Sequence, residues 1–109
     1  MTRQNGNRAK LARTDDIRQT RRITTHPGEM LAQEFLVPLK MSASALAAEI
    51  GVPANRLTEM VAGRRSMTAD TALRLSERFG TSPEFWMNLQ TMHDLSKAVL
   101  SAKRGRKVA

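Results

Sequence analysis

The chain has no cysteine and no tyrosine, and only three phenylalanines and one tryptophan among its 109 residues. Without thiols there can be no disulfide and no thiolate metal ligand, which fits a reducing cytoplasm. With aromatics at 4%, a core must be packed mainly from Leu, Met, Ala and Ile. No apolar run approaches the roughly 18 residues needed to cross a bilayer. No continuous apolar stretch follows the first basic residues, as a secretory leader would require. The expected setting is cytoplasmic, away from membranes. Glycine-rich phosphate loops are also missing, and His26 and His93 have no partner at catalytic or ligand spacing. No enzymatic activity, cofactor or metal is expected, and both histidines read as structural.

What is present is positive charge, unevenly placed. The formal net charge is +8. Residues 1–25 hold seven Arg or Lys against Asp15 and Asp16, and residues 97–109 hold five bases and no acid. The middle, 26–96, holds six bases and eight acids, a net −2. Any nucleic-acid role for the middle must therefore rest on where its few arginines sit, not on bulk charge. Residues 1–22 are polar and lack apolar periodicity, so they read as a flexible basic arm. Residues 101–109 read as a basic tail fraying from a helix, leaving 23–100 as the folded domain.

Five helices and no strand can be placed in that domain. The first opens at His26-Pro27-Gly28-Glu29, with Pro at the first helical position and Glu29 near the positive dipole end. Pro38 is expected to stop it at Val37. The second starts after Ser42 or Ser44 and runs to Ile50. The third follows Gly51-Val52-Pro53 and ends at Gly63. The fourth is capped by Thr68, with Leu73, Leu75 and Phe79 inside, and closes at Gly80. The fifth starts at Ser82-Pro83. The class is all-α.

The second and third helices carry a more specific pattern. Ala47 is small where two helices must approach closely, and Gly51 supplies a turn with positive φ. Leu57 and Met60 then point inward from the third helix. The order Ala-x3-Gly-x5-Leu-x2-Met is the spacing of a helix-turn-helix, two helices crossing at about 90–120°. In that unit the third helix enters the major groove, so Ala54, Asn55, Arg56, Thr58 and Glu59 are the candidate base contacts. Asn55 suits adenine, the Thr58 methyl suits thymine, and Glu59 can accept from cytosine. Arg56 is open to three roles: a base, a phosphate, or an internal acidic partner. Arg64 and Arg65, in the loop after the helix, are candidate phosphate contacts. Ser42 and Ser44 are too, by way of the free N–H groups that open the second helix.

Phe85, Trp86, Leu89, Met92, Leu95 and Val99 form a stripe on the fifth helix longer than four short helices can cover. Phe85, Trp86, Leu89 and Met92 are the candidate dimer interface; the alternative is that the stripe is entirely intrachain core, and Trp86 reads as either. A homodimer would set two reading helices one DNA turn apart.

Four segments, HPGEMLAQEFLVPL at 26–39, ALAAEIGVPANRLTEMVAGRR at 45–65, MTADTALRLSERFGTSPEFWMNLQ at 67–90 and HDL at 93–95, make the chain resemble the HigA-type antitoxins. These are a branch of the XRE helix-turn-helix regulators. The resemblance implies a five-helix lambda-repressor-like domain and a type II antitoxin. Such a protein binds and neutralises a small RelE/HigB-like toxin that cleaves mRNA on the ribosome. It also represses its own operon as a dimer on double-stranded operator DNA. A stand-alone repressor of the same fold, with no toxin partner, is the alternative.

The arm at 1–22 matches no family motif. It could wrap a toxin, enter the minor groove, or do neither. A toxin acting on ribosomal RNA is expected to be basic, and a basic arm suits it poorly. The acidic middle, with Glu29, Glu34, Glu77, Glu84 and Asp94, is the better match. Helix 1 or helix 5 is thus expected to supply most of the toxin contact.

Overall fold

The computed structural model describes residues 17–108. The expected arm therefore lies largely outside the described residues, as does Ala109. Five helices and a short 3₁₀ turn at 17–19 make up the described secondary structure, with no strand among these residues. Contacts divide the chain into one unit spanning Thr25–Thr91 and another joining the segment up to Thr24 with residues from Met92 onward.

In the larger unit, α1 is one continuous helix in three parts: Pro27–Leu31 in α geometry, Ala32–Leu36 in π geometry and Val37–Leu39 again in α geometry. The His26 ring opens it by accepting from the Gly28 N–H through Nδ1 at 2.8 Å. Pro38 does not stop this helix at Val37, as the sequence suggested. Proline cannot donate to the carbonyl four residues back and its ring crowds that carbonyl. The wider π turn just before it, in which the Val37 N–H bonds to the Ala32 carbonyl, opens the register and lets the helix pass. The stop comes at Lys40, whose φ of 53° is left-handed.

Helix α2 (Ala43–Ile50) is capped by Ser42, whose hydroxyl accepts from the Ala45 N–H at 3.0 Å. It ends at Gly51, with φ of 75°. Helix α3 (Ala54–Val61) follows after Val52 and Pro53. Helix α4 (Ala69–Phe79) is capped by Thr68 and closed by Gly80. Helix α5 (Pro83–Val108) continues through the segment expected to fray.

Leu31, Leu46, Leu57, Met60, Ala72, Leu75 and Trp86 are completely buried, and Ala47 nearly so. Leu73, expected inside, is instead 58% exposed. Two residues along a helix turn the side chain by about 200°, so Leu73 cannot share a face with Leu75. Thr71, Ala72, Leu75 and Phe79 make the inner face.

Of the two places open to Trp86, core or dimer interface, the structure gives the core: the chain itself encloses it. Its ring lies 5.3 Å from that of Phe35 and 4.8 Å from that of Phe85, and its N–H donates to Thr81 Oγ1 at 2.7 Å. The indole has no surface left for a partner. Gln90, also buried, accepts from the Met67 N–H at 2.6 Å and fixes the chain entering α4.

In the smaller unit, residues 20–24 lie along the later turns of α5. The Thr24 N–H donates to Ser96 Oγ at 3.0 Å, and the Thr24 carbonyl sits 2.7 Å from His93 Nδ1. Lys103 donates to the Thr20 carbonyl at 3.2 Å. The expected domain boundary at residue 22 thus falls within this unit. Among the described residues no helix is long and apolar enough to cross a membrane.

Candidate nucleic-acid interface

The turn between α2 and α3 is set by two contacts and one backbone conformation that the sequence only partly reveals. Ala47 is 1% exposed between the two helices. Gly51 takes the left-handed conformation that costs a residue with a β-carbon about 1–2 kcal/mol. Arg74, from α4, donates to the Ile50 carbonyl at 2.7 Å and so satisfies the end of α2. Arg74 also holds Asp70 across one helical turn.

Helix α3 is also pinned along its inner face and at both ends. Leu57 and Met60 are fully buried beneath it. At its far end the backbone of Gly28 presses on the carbonyl of Met60. At its near end Arg56 Nη1 meets Asp70 Oδ2 at 2.6 Å. Of the three roles open to Arg56, the structure places it with an internal acidic partner. The two guanidinium groups hold the Asp70 carboxyl below its ordinary pKa, the Arg56 hydrogen bond contributing most.

With the inward face fixed, Ala54, Asn55 and Thr58 stand exposed on the opposite face of α3. Neither Asn55 nor Thr58 has a side-chain hydrogen bond among the described residues. Glu59 and Arg65, expected to read a base and bind a phosphate respectively, are paired with each other. Arg65 Nη2 and Nε lie 2.7 and 3.0 Å from Glu59 Oε1. Arg64 is exposed and makes no ion pair among the described residues. Ser42 spends an acceptor lone pair on its cap and keeps its O–H, while Ser44 is exposed one residue into α2. No group of His, Asp or Glu among the described residues is arranged to hold a metal.

A helix-turn-helix family model (HTH_3) matches residues 33–86, from within α1 to Trp86. Antitoxin HigA-1 of Vibrio cholerae is 39% identical over 79 residues, covering 72% of this chain and 74% of its own. The chain belongs to the HigA antitoxin family. Virulence-associated protein I of Dichelobacter nodosus is 48% identical over 73 residues, 67% of this chain and 68% of its own. The structure of the Pseudomonas aeruginosa antitoxin HigA with the higBA promoter superposes with a TM-score of 0.69 at 40% identity, covering 77% of this chain and 89% of that one.

Within this HigA-type chain the remaining interface candidates are partly open. Phe85 and Leu89, in the larger unit, and Met92, in the smaller, are each half-buried, while Leu95 is 43% exposed. Sequence reasoning missed Gly28, Asp70 and Arg74 as supports of α3. A glycine in the first turn of a helix is a signal of close backbone approach. The partner it accommodates is more than thirty residues away, and nothing local names it.

Proposed function

We propose that this chain is an antitoxin that represses its own operon, binding operator DNA as a dimer, and that it neutralises a small basic toxin of the RelE/HigB type. The observation that carries the DNA reading is the exposed, unbonded pair Asn55 and Thr58 on a helix held rigidly from behind. Side chains so presented are free to meet base edges in the major groove without first breaking an internal bond. Arg64, after α3, and Ser42 and Ser44, at the start of α2, then serve phosphates at either end of the two-helix unit. The promoter-bound HigA of Pseudomonas aeruginosa, built on the same fold, supports this reading.

For the dimer, Phe85, Leu89 and Met92 recur along α5 at spacings of four and three residues, with Leu95 beyond them. Burying this stripe against a second copy would remove apolar surface that is now wet. For the toxin, Glu29, Glu34, Glu77 and Glu84 are exposed and have no side-chain partner among the described residues. They offer a cationic protein a negative surface that costs no internal ion pair. The 1–22 arm keeps its three expected outcomes: wrapping the toxin, entering the minor groove, or neither.

Fluorescence anisotropy with duplexes tiled across the promoter of its own operon tests the DNA claim, and sedimentation equilibrium tests the dimer. Binding to one tile well above the others, with two chains per site, is expected. Equal affinity for every tile would refute sequence-specific repression. Co-purification with the product of a neighbouring short basic gene tests the antitoxin claim. Operator binding without such capture would leave the stand-alone repressor.

A further inference from the structure

Beside the exposed face of α3 lies a recess of about 160 Å³ lined by Arg56, Arg65, Ser66, Thr68, Asp70 and Thr71. Its two cations are both engaged, Arg56 by Asp70 and Arg65 by Glu59. All four side chains remain between 31% and 55% exposed. Ion pairs this open to water are screened and add little to stability, so they exchange readily for a better anion. The Ser66 hydroxyl, also exposed, has no side-chain partner among the described residues. Two guanidinium groups and a hydroxyl around a shallow recess suit a tetrahedral, doubly accessible anion, the backbone phosphate of DNA.

The two pairs differ in what the exchange leaves behind. If Arg56 turns to a phosphate, Asp70 still holds Arg74, whose Nε is 3.1 Å from Oδ2. If Arg65 turns to a phosphate, Glu59 loses the one cation that the structure gives it. It then stands as a bare carboxylate beside an anionic polymer, an unfavourable arrangement unless a donor meets it. The exposed amine of cytosine is such a donor.

We infer that the recess is a DNA phosphate site entered by ion-pair exchange, and that Glu59 makes the Arg65–phosphate contact depend on the base beside it. Asp70 restrains Arg56 without reading sequence. This rests on the DNA reading above and assigns to Glu59 a specificity role exerted through Arg65 as well as by its own contact.

The test is a double-mutant cycle of Glu59→Gln and Arg65→Gln, with operator and scrambled duplexes titrated across a series of KCl concentrations. Melting curves confirm that each variant is folded. Glu59→Gln alone should raise affinity for the scrambled duplex several-fold more than for the operator. On the scrambled duplex, where the wild-type Arg65 stays with Glu59, it should also steepen the dependence of log K on log salt by about 0.9, one released counterion. In the Arg65→Gln background the same change should leave the salt slope unmoved and give no gain on the scrambled duplex, so that only the loss of the direct Glu59 contact to the operator remains. Asp70→Asn should raise affinity for both duplexes alike. An effect of Glu59→Gln that persists undiminished without Arg65 would mean simple repulsion of DNA by an acid and would overturn the inference. So would unchanged affinity and slope in Glu59→Gln itself. If the unmodified protein binds no promoter duplex, the DNA reading fails and this site fails with it; binding with an additive cycle removes the exchange alone.

Discussion

The backbone of Gly28 rests against the carbonyl of Met60, so closely that a β-carbon on Gly28 would overlap both the oxygen and the carbon of that group. The start of α1 is thereby the stop against which the end of α3 is set. Backbone cannot swing aside as a side-chain tip can. Gly28→Ala would gain about 1 kcal/mol in helix propensity, but forcing the helices apart costs about 3 kcal/mol. The clash wins. A fall in Tm of roughly 10 °C is expected in a thermal melt, and a Tm unchanged or raised would contradict the contact.

Replacing Asn55 or Thr58 with Ala should leave Tm nearly unchanged, since neither side chain bonds within the protein among the described residues. A good base contact is worth about 1–3 kcal/mol. The ratio of operator to scrambled affinity should therefore drop by about five-fold to about 150-fold in an anisotropy titration. A preserved ratio would mean that α3 is not the reading helix.

Arg64→Gln should behave differently. Its guanidinium group makes no ion pair among the described residues, so its charge is available to a phosphate. Affinity for operator and scrambled DNA should fall by the same factor, with the salt slope reduced by about 0.9. A change confined to the operator would move Arg64 from backbone contact to base contact.

Asp70 links stability to acid. Its carboxyl is held below the ordinary aspartate value, chiefly by the Arg56 hydrogen bond and then by that of Arg74. A group depressed in this way contributes stability fully above the unfolded pKa of about 3.9. That contribution is lost as pH falls from there through the lowered folded value. Asp70→Asn should lower Tm slightly at neutral pH, and the gap to the parent protein should close in this acid range. A gap that is constant down to pH 2 would mean that the ion pairs do not form in solution.

Local rules carried most of the fold. Ser42 and Thr68 announced helix starts because a cap is a bond to a residue two or three positions on, and Pro27 and Pro83 because the proline ring presets φ at the first helical position. Gly51 and Gly80 announced ends, because a positive φ is a property of one residue. The proline at 38 misled for a related reason. Local geometry forbids an ordinary α turn there, but a π turn outside the usual repertoire accommodates it. Leu73 is apolar yet faces outward, because the angle around the helix and not apolar character alone selects the inner face.

The amino-acid order by itself determined that the chain is all-α, that a helix-turn-helix occupies its middle, and which residues line the outer face of α3. Each of these follows from spacing along the chain. Only the tertiary structure decided what those outer residues are free to do. Arg56, Glu59 and Arg65 look in sequence like available charges, and the fold pairs them off with Asp70 and with one another while leaving Asn55, Thr58 and Arg64 unpaired among the described residues. Trp86 likewise reads as part of a continuous stripe until Phe35 and Phe85 close on its ring. The reason is physical: a charge or a ring is satisfied by whatever lies within a few ångströms, and that neighbour is chosen by the packing of helices far apart in the chain.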